Sequence, residues 1–414
     1  MHIKNAQSIV VIGAGPAGMM AAGTAGSRGN EVFLAEKNLL PGRKLLLTGN
    51  GRCNFTHTGS LDDLVANVIT NGKFLYNAFA AFSNRDTIRF FRERGLSEIT
   101  EPDGRIFPSS GRALDVLNTL QGYCRANGVK ILTAQVTGIK TVGGRVSGVL
   151  LSNGKEMECG SVVLASGGMS YPKTGSTGDG YGMAKELGHA IIEPAPALVP
   201  IEVVGNLPLQ LKGVSLSGIG VKAFGKNNRK IYQGFGDIIF THYGISGPAI
   251  LSASSYLTHT GAQGNRIVLD MFPEFADMQM DALLREFMGN APAKSAETAF
   301  TKLRLPSRFM DILMKTAGIA IGRKACEVTK EERKQMALFL KNFEMRIKSL
   351  RPIEEAMVTS GGVSVEEINP RTMESRIVKG LFFAGEVMDV DANTGGYNLQ
   401  IAFSTGRAAG SNVH

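Results

Sequence analysis

The 414-residue sequence contains no tryptophan and only four cysteines, Cys53, Cys124, Cys159 and Cys326, none of them in a C-x-x-C pair. So few cysteines in so long a chain exclude a disulfide framework, and the missing pairs argue against a zinc site. Free thiols in a reducing cytoplasm and no metal centre are the expectation. Long hydrophobic runs are also lacking. The apolar stretch 9–25 is broken by Gly13, Gly15, Gly18 and Gly23, so it reads as strand, turn and helix, neither signal peptide nor membrane span. No segment is of low complexity, which argues against disorder. A soluble, cytoplasmic protein is expected.

What is present is a chain that is 43% hydrophobic, with 51 glycines, long enough for two or three domains. The net charge is +9, and it is unevenly placed: residues 302–351 hold 13 Lys/Arg against 5 Asp/Glu. Such an excess attracts anions, whether nucleic acid, acidic protein or acidic substrate, or simply decorates solvated helices. No nucleic-acid motif accompanies it, so a nucleic-acid partner is not expected.

The opening alternates strand (8–13), helix (17–28) and strand (31–36), which implies a parallel sheet with helices on both faces. A helix is expected over 114–127, and paired strands over 129–139 and 145–151, with a turn at Ser152-Asn153-Gly154 before 155–159. Residues 161–165 read as a buried parallel strand. From about residue 193 the pattern becomes β-rich, with no clear long helix up to about 271. It turns helical over 273–341, where 330–340 is amphipathic, and returns to a strand at 343–349. The fold class expected is α/β: a discontinuous dinucleotide-binding Rossmann-like domain (1–192 and 357–414), interrupted by a β-barrel-like insert (193–272 and 342–356) that itself carries a small helical insert (273–341).

Gly13-Ala14-Gly15-Pro16-Ala17-Gly18 is a G-x-G-x-x-G lying directly after a strand and opening a helix at Pro16 and Ala17. Gly13 suits the tight turn, Gly15 a close approach to a pyrophosphate, and Gly18 the packing of helix on strand; the helix N-terminus offers N–H groups and a positive dipole end. Glu36, followed by Lys37, ends the next strand, where a carboxylate accepts hydrogen bonds from an adenosine ribose. Two further Gly-rich elements follow strands. One is Ser166-Gly167-Gly168; the other is Gly385-Glu386, followed by Gly395-Gly396-Tyr397-Asn398-Leu399 at a helix start. A carboxylate there can bind a ribitol hydroxyl, and the helix N-terminus can face the flavin N1–C2=O edge, where reduced flavin holds negative charge. Three such elements point to FAD rather than NAD as the resident cofactor.

The ordered motifs Pro41-Gly42-Arg43-Lys44, Thr48-Gly49-Asn50-Gly51-Arg52-Cys53-Asn54, Asp103-Gly104-Arg105-Ile106-Phe107-Pro108, Thr174-Gly175-Ser176-Thr177-Gly178-Asp179-Gly180, Thr241-His242, Ser246-Gly247-Pro248 and Val358-Thr359-Ser360-Gly361-Gly362-Val363 complete the series. With them, over essentially its whole length, the sequence resembles the BaiN/RdsA (YhiN-like) family of bacterial NAD(P)/FAD-dependent oxidoreductases, related to aminoacetone oxidase and to reductases of conjugated 3-oxo bile acids. The resemblance implies a discontinuous FAD domain, a β-barrel insert and a helical insert. It also places Val136 on a strand passing the adenine. Glu386 stands where the wider flavoprotein pattern prefers Asp.

Roles follow from residue chemistry. Arg43 and Lys44, past a Pro-Gly turn, can neutralise the pyrophosphate, or belong to a solvated turn. Gly49 and Gly51 can let backbone N–H groups approach the flavin N5/O4 edge. The catalytic candidates are His242, as a proton carrier or a turn-stabilising residue; Tyr397, at the flavin face or in the core; and Arg52, with Arg105, for a substrate carboxylate or carbonyl. Cys53 lacks a partner for dithiol chemistry and reads as a spectator. No second G-x-G-x-x-G follows a strand, so electrons arrive from NAD(P)H at the flavin itself, from a small redox protein, or from the substrate. The expected function is an FAD oxidoreductase passing hydride through flavin N5. Reduction of an activated, enone-type C=C bond with NAD(P)H is the first choice and an amine (aminoacetone-type) oxidase the second. A tRNA-acting flavoprotein is the rival of another class.

Overall fold

Short apolar runs alternate with glycine and proline turns at the start of the chain, and the computed structural model, which describes residues 8–414, turns that alternation into strands and helices. Strand β1 (Ile9–Ile12) is buried throughout, and proline at the first helical position opens helix α1 (Pro16–Ser27). There follow β2 (Val32–Glu36), α2 (Ala113–Ala126) and β3 (Lys130–Thr133). The single strand expected over 129–139 is divided. β3 runs parallel to β2, whereas β4 (Val136–Val142) pairs antiparallel with β5 (Arg145–Leu151). The break falls at Ala134-Gln135, where Ala134 N–H donates to the Glu36 carbonyl and the Gln135 carbonyl accepts from Ser152 N–H. One straight strand cannot serve both sheets. β6 (Glu156–Glu158) completes that small sheet, and β7 (Ser161–Leu164) returns beside β1, parallel to it.

Two compact units emerge. In the second, Ala197–Pro352, the strands β8 (Ile201–Val203), β9 (Ser215–Phe224), β10 (Lys230–Phe240), β11 (Gly244–Ser246), β12 (Arg266–Asp270) and β13 (Phe343–Leu350) close a barrel in the order β8-β11-β10-β9-β12-β13. Contrary to expectation, this stretch contains an 11-residue helix, α3 (Pro248–Thr258). Residues 249–255 are buried all round, so the segment lacks the one-sided periodicity that reveals a surface helix. The helices α4 (Asp277–Asn290), α5 (Ala296–Phe300), α6 (Ser307–Thr316) and α7 (Lys330–Lys341) share the barrel's core. Phe309 of α6 packs against Phe240 and Phe343 of the barrel, at ring separations of 6.4 and 5.8 Å.

The chain then completes the first unit, formed by the residues up to Pro196 and by Ile353–His414. Strand β14 (Leu381–Phe383) pairs parallel with β7, giving a parallel sheet ordered β14-β7-β1-β2-β3. Helix α8 (Tyr397–Asn412) lies along α1: a Cβ at Gly406 would meet the Ala17 carbonyl at 2.4 Å, and one at Gly410 the Ala21 carbonyl at 2.3 Å. Both contacts advance by four residues, so the two helices run parallel, at a separation only glycine permits. Among the described residues no helix is long and apolar enough to cross a membrane, and no cluster of His, Cys, Asp or Glu is suited to hold a metal ion.

Candidate cofactor cleft and active site

The chain runs β1, β2, β3 toward one side of the sheet, then returns to place β7 and β14 on the other. Ligands of such sheets lie at this reversal, outside the carboxyl ends of the strands. A cleft occupies that edge, and every strand contributes: Gly13 after β1, Glu36 ending β2, Ala134–Val136 after β3, Ala165–Gly167 after β7, and Ala384–Glu386 after β14. Five adjacent strand ends span about 19 Å at ~4.8 Å per gap. That is the reach of an extended dinucleotide.

The glycine loop fits a pyrophosphate by three distinct means. Gly13 has φ +99°, and a Cβ there would lie 2.6 Å from the Ala165 carbonyl oxygen. A Cβ at Gly18 would lie 1.9 Å from the Gly13 carbonyl oxygen, so α1 rests directly on β1; Gly18 itself does not line the cleft. A Cβ at Gly15 would meet no atom of the other described residues within 4 Å and would project from a residue that does line it. The glycine therefore leaves open the space a phosphate needs beside the free N–H groups of the first turn of α1, from Ala17 on. Pro16 and Ala17 line the same wall, as does Ser166, whose buried hydroxyl has no hydrogen-bond partner among the described residues.

Glu36 is nearly buried. Its carboxylate accepts from Ala14 N–H (2.9 Å), Asn38 N–H (2.9 Å) and the Asn38 amide (2.8 Å), and so is held at the cleft wall for the diol of a ribose. Glu36→Ala is expected to weaken FAD binding about 10- to 100-fold, since hydrogen bonds to a charged group contribute about 1.5–3 kcal/mol each. Fluorescence titration of the apoprotein with FAD measures this, and an unchanged dissociation constant would remove Glu36 from the site.

Other expected ligands line the cleft with their charges already engaged. Lys37 donates to Asp179 (2.7 Å) and Thr177 (2.5 Å), and Arg43 to the Asn38 side chain (3.2 Å). Lys44 departs from the pyrophosphate role expected of it: its ammonium sits between both carboxylate oxygens of Glu386, at 2.7 and 2.8 Å, and donates to Ser170 Oγ at 2.5 Å. Glu386 also accepts from Ser170 Oγ (3.1 Å) and Thr359 N–H (2.8 Å). The carboxylate at the end of β14 draws the lysine there, away from the glycine loop. Val136, Gly167, Gly385, Asn398 and Leu399 line the cleft. The Asn398 side chain clamps the preceding loop, accepting from Ala392 N–H (3.0 Å) and donating to the Ala392 carbonyl (2.9 Å). Gly49, Gly51 and Gly396 do not line it. Gly49, Asn50 and Gly51 form a left-handed run, φ +56°, +55° and +85°, and Gly396 caps α8 where a Cβ would strike the Thr56 carbonyl at 2.6 Å.

None of the three catalytic candidates lines the cleft. His242 belongs to the second unit, is exposed, and packs edgewise on Tyr243 at 4.7 Å. Arg52 pairs with Glu101, which also binds Arg105, and lies 4.0 Å over the Phe107 ring. Tyr397 opens α8 and stacks on His57 at 5.0 Å. Burial, reinforced by the charges of Asp63 and Asp103, pushes its phenol up to about 12. Cys53 is fully buried and burial pushes its thiol up to about 12, so it carries no thiolate at neutral pH. Sequence reasoning missed Asn38, Thr48, Met357 and Val390 in the cleft wall. Of these, Asn38 carried a signal in its place two residues after Glu36, and Thr48 one in the motif that it opens.

Together the cleft and the fold define an FAD-dependent oxidoreductase. The HI0933-like protein Rossmann domain family matches residues 7–412, and the chain belongs to it; this bears out the resemblance to the BaiN/RdsA type. The chain is 31% identical over 410 residues to a ribosomal RNA dihydrouridine synthase of Escherichia coli (strain K12), covering 98% of this chain and 97% of the relative. It is 30% identical over 409 residues to a 3-dehydro-bile acid delta(4,6)-reductase of Clostridium scindens, covering 97% and 98%. Among solved structures, a 3-ketosteroid-delta4-(5alpha)-dehydrogenase from Rhodococcus jostii RHA1 superposes with TM-score 0.55 at 15% identity, over 100% of this chain and 97% of that one.

Proposed function

We propose that the chain reduces a C=C bond conjugated to a carbonyl, with NAD(P)H as transient donor and FAD held along the strand ends, and that its substrate is a uracil base in RNA. The observation that carries the cofactor part is the pair of carboxylates, Glu36 ending β2 and Glu386 just after β14, on strands three gaps or about 14 Å apart. Glu36 suits the adenosine ribose, Gly15 and the α1 N-terminus the pyrophosphate, and Glu386 a ribityl hydroxyl. The N-terminus of α8 suits the flavin N1–C2=O edge, where it favours negative charge. Bound FAD supplies hydride transfer, and the protein supplies orientation and electrostatics. Tyr397 does not itself line the cleft but directly precedes Asn398 and Leu399, which do; it holds its phenolic proton at neutral pH and is the proposed donor to the second carbon.

The reaction class rests on what the two relatives' names share, saturation of a double bond conjugated to a carbonyl, in a uracil ring and in a 3-oxo steroid. RNA is favoured because almost all of this chain's excess positive charge lies in Ala197–Pro352, with 21 Lys/Arg against 13 Asp/Glu. The test is anaerobic. NADPH or NADH should bleach the visible flavin absorbance, and ribosomal RNA transcribed without modification should restore it, its uridines gaining two hydrogens by mass spectrometry. Peroxide release driven by aminoacetone without pyridine nucleotide would overturn the reductase reading. Restoration by a steroid enone but not by RNA would overturn the substrate.

A further inference from the structure

We infer that the outer face of the barrel is a docking surface for the phosphate backbone of RNA; the inference rests on the RNA reading above. Side chains alternate along the barrel strands. On β9, Val221 and Ala223 are buried and Lys222 and Phe224 face outward; on β12, Ile267 and Leu269 are buried and Arg266 is outward; on β13, Met345 and Ile347 are buried and Arg346 is outward. The strand register lines up the outward residues. Phe224 stands opposite Lys230 on one side and Arg266 on the other, and Arg266 stands opposite Arg346. Lys230, Phe224, Arg266 and Arg346 thus form one row across four neighbouring strands, about 14 Å long.

The row is placed against the preference of an isolated sheet. Like charges directly opposite one another on antiparallel strands destabilise the pair, and Arg266 faces Arg346 in that way. Arg266 is partly compensated, by Glu344 at 2.9 Å and by the Phe224 ring at 4.8 Å. Arg346, Lys226, Arg229 and Lys230 have no ion pair among the described residues, and all four are exposed. Lys226 and Arg229 sit in the β9–β10 turn and extend the row. The Lys226 stem is laid against Gly264, before β12, where a Cβ would approach its Cε at 2.6 Å. A polyanion offsets the uncompensated charge.

Nucleic acid fits this face better than an acidic protein does. A protein interface needs a desolvated apolar centre, whereas the one ring inside the row, Phe224, is covered by Arg266. The other outward ring, Phe235, stands opposite Gly220 on the same face and is 70% exposed, open above a residue without a side chain. Cations that track a backbone beside an open aromatic face are the elements of single-strand and loop recognition in RNA.

The test uses the full FAD-loaded chain, protein-free ribosomal RNA as probe, and the double variant Lys230→Glu/Arg346→Glu. At position 346 the new carboxylate faces Arg266, so the melting temperature should hold or rise. Wild type should bind with an affinity that falls steeply with salt. The variant should bind about tenfold or more weakly, with a log–log salt slope shallower by about 2, one for each phosphate no longer neutralised. NADPH-driven flavin bleaching should be unchanged. A variant that binds RNA with the wild-type constant and slope overturns the docking surface and leaves the RNA reading standing. Wild type that fails to bind RNA at low salt overturns both.

Discussion

Gly18→Val should yield a protein that retains no FAD and melts well below wild type. The position has no room. Its Cβ would lie 1.9 Å from the Gly13 carbonyl oxygen and 3.1 Å from the Gly13 carbonyl carbon, and these are backbone atoms that cannot rotate away. Relief requires α1 to lift from β1 by more than 1 Å, at an overpacking cost of at least about 1–3 kcal/mol. The same movement withdraws the helix N-terminus from the pyrophosphate, and its electrostatic effect falls off within a turn. Gly15→Ala is the control. Its φ is −80° and a Cβ there would meet no other described residue within 4 Å, so the apoprotein should melt as wild type does while FAD binding weakens. Flavin absorbance of the purified proteins and calorimetry of the apo forms separate the two effects. Gly18→Val with bound FAD and a wild-type melting temperature would show that α1 does not need this contact.

The same loop shows how far sequence alone reaches. Strand, glycine loop, helix and Glu36 are close neighbours along the chain, and each acts through its own backbone or its own spacing. The pattern is therefore legible from the order of residues alone. The strand Phe343–Leu350 is legible too, because one face of a barrel strand is dry and the other wet. Helix Pro248–Thr258 is not, being buried on every side. The break at Ala134-Gln135 is not either, since apolar content runs on across it and only the partners change. The catalytic candidates illustrate a further limit. His242 shares a motif with the family, but a motif does not state what a side chain packs against, and His242 is exposed with its ring edgewise on Tyr243. Lys44 likewise reads as a phosphate ligand until Glu386, 342 residues away, is brought beside it.

That pair supplies the second large effect: Glu386→Gln and Lys44→Met should each lower FAD affinity and stability, and the double variant should lose less than the sum. Both side chains are only partly exposed, Lys44 at 23% and Glu386 at 22%, and both line the cleft. Removing the carboxylate's charge leaves an ammonium at the cleft wall with Ser170 Oγ as its remaining close partner. Removing the ammonium leaves a carboxylate held, among the described residues, by Thr359 N–H and Ser170. Breaking a fully buried pair costs about 3–5 kcal/mol, and the residual exposure here brings the expectation to about 2 kcal/mol for each single variant. The double variant leaves no lone charge, so a double-mutant cycle on the apoprotein should give a coupling of about 1–2 kcal/mol. FAD should report differently. Glu386 is the proposed partner of a ribityl hydroxyl, and Lys44 acts through it by fixing its position, so the double variant should recover stability but not affinity. Recovery of both would make the pair a purely structural tie. Strict additivity in the cycle would mean that Lys44 and Glu386 act independently, returning Lys44 to the phosphate role that its place after the Pro-Gly turn suggests.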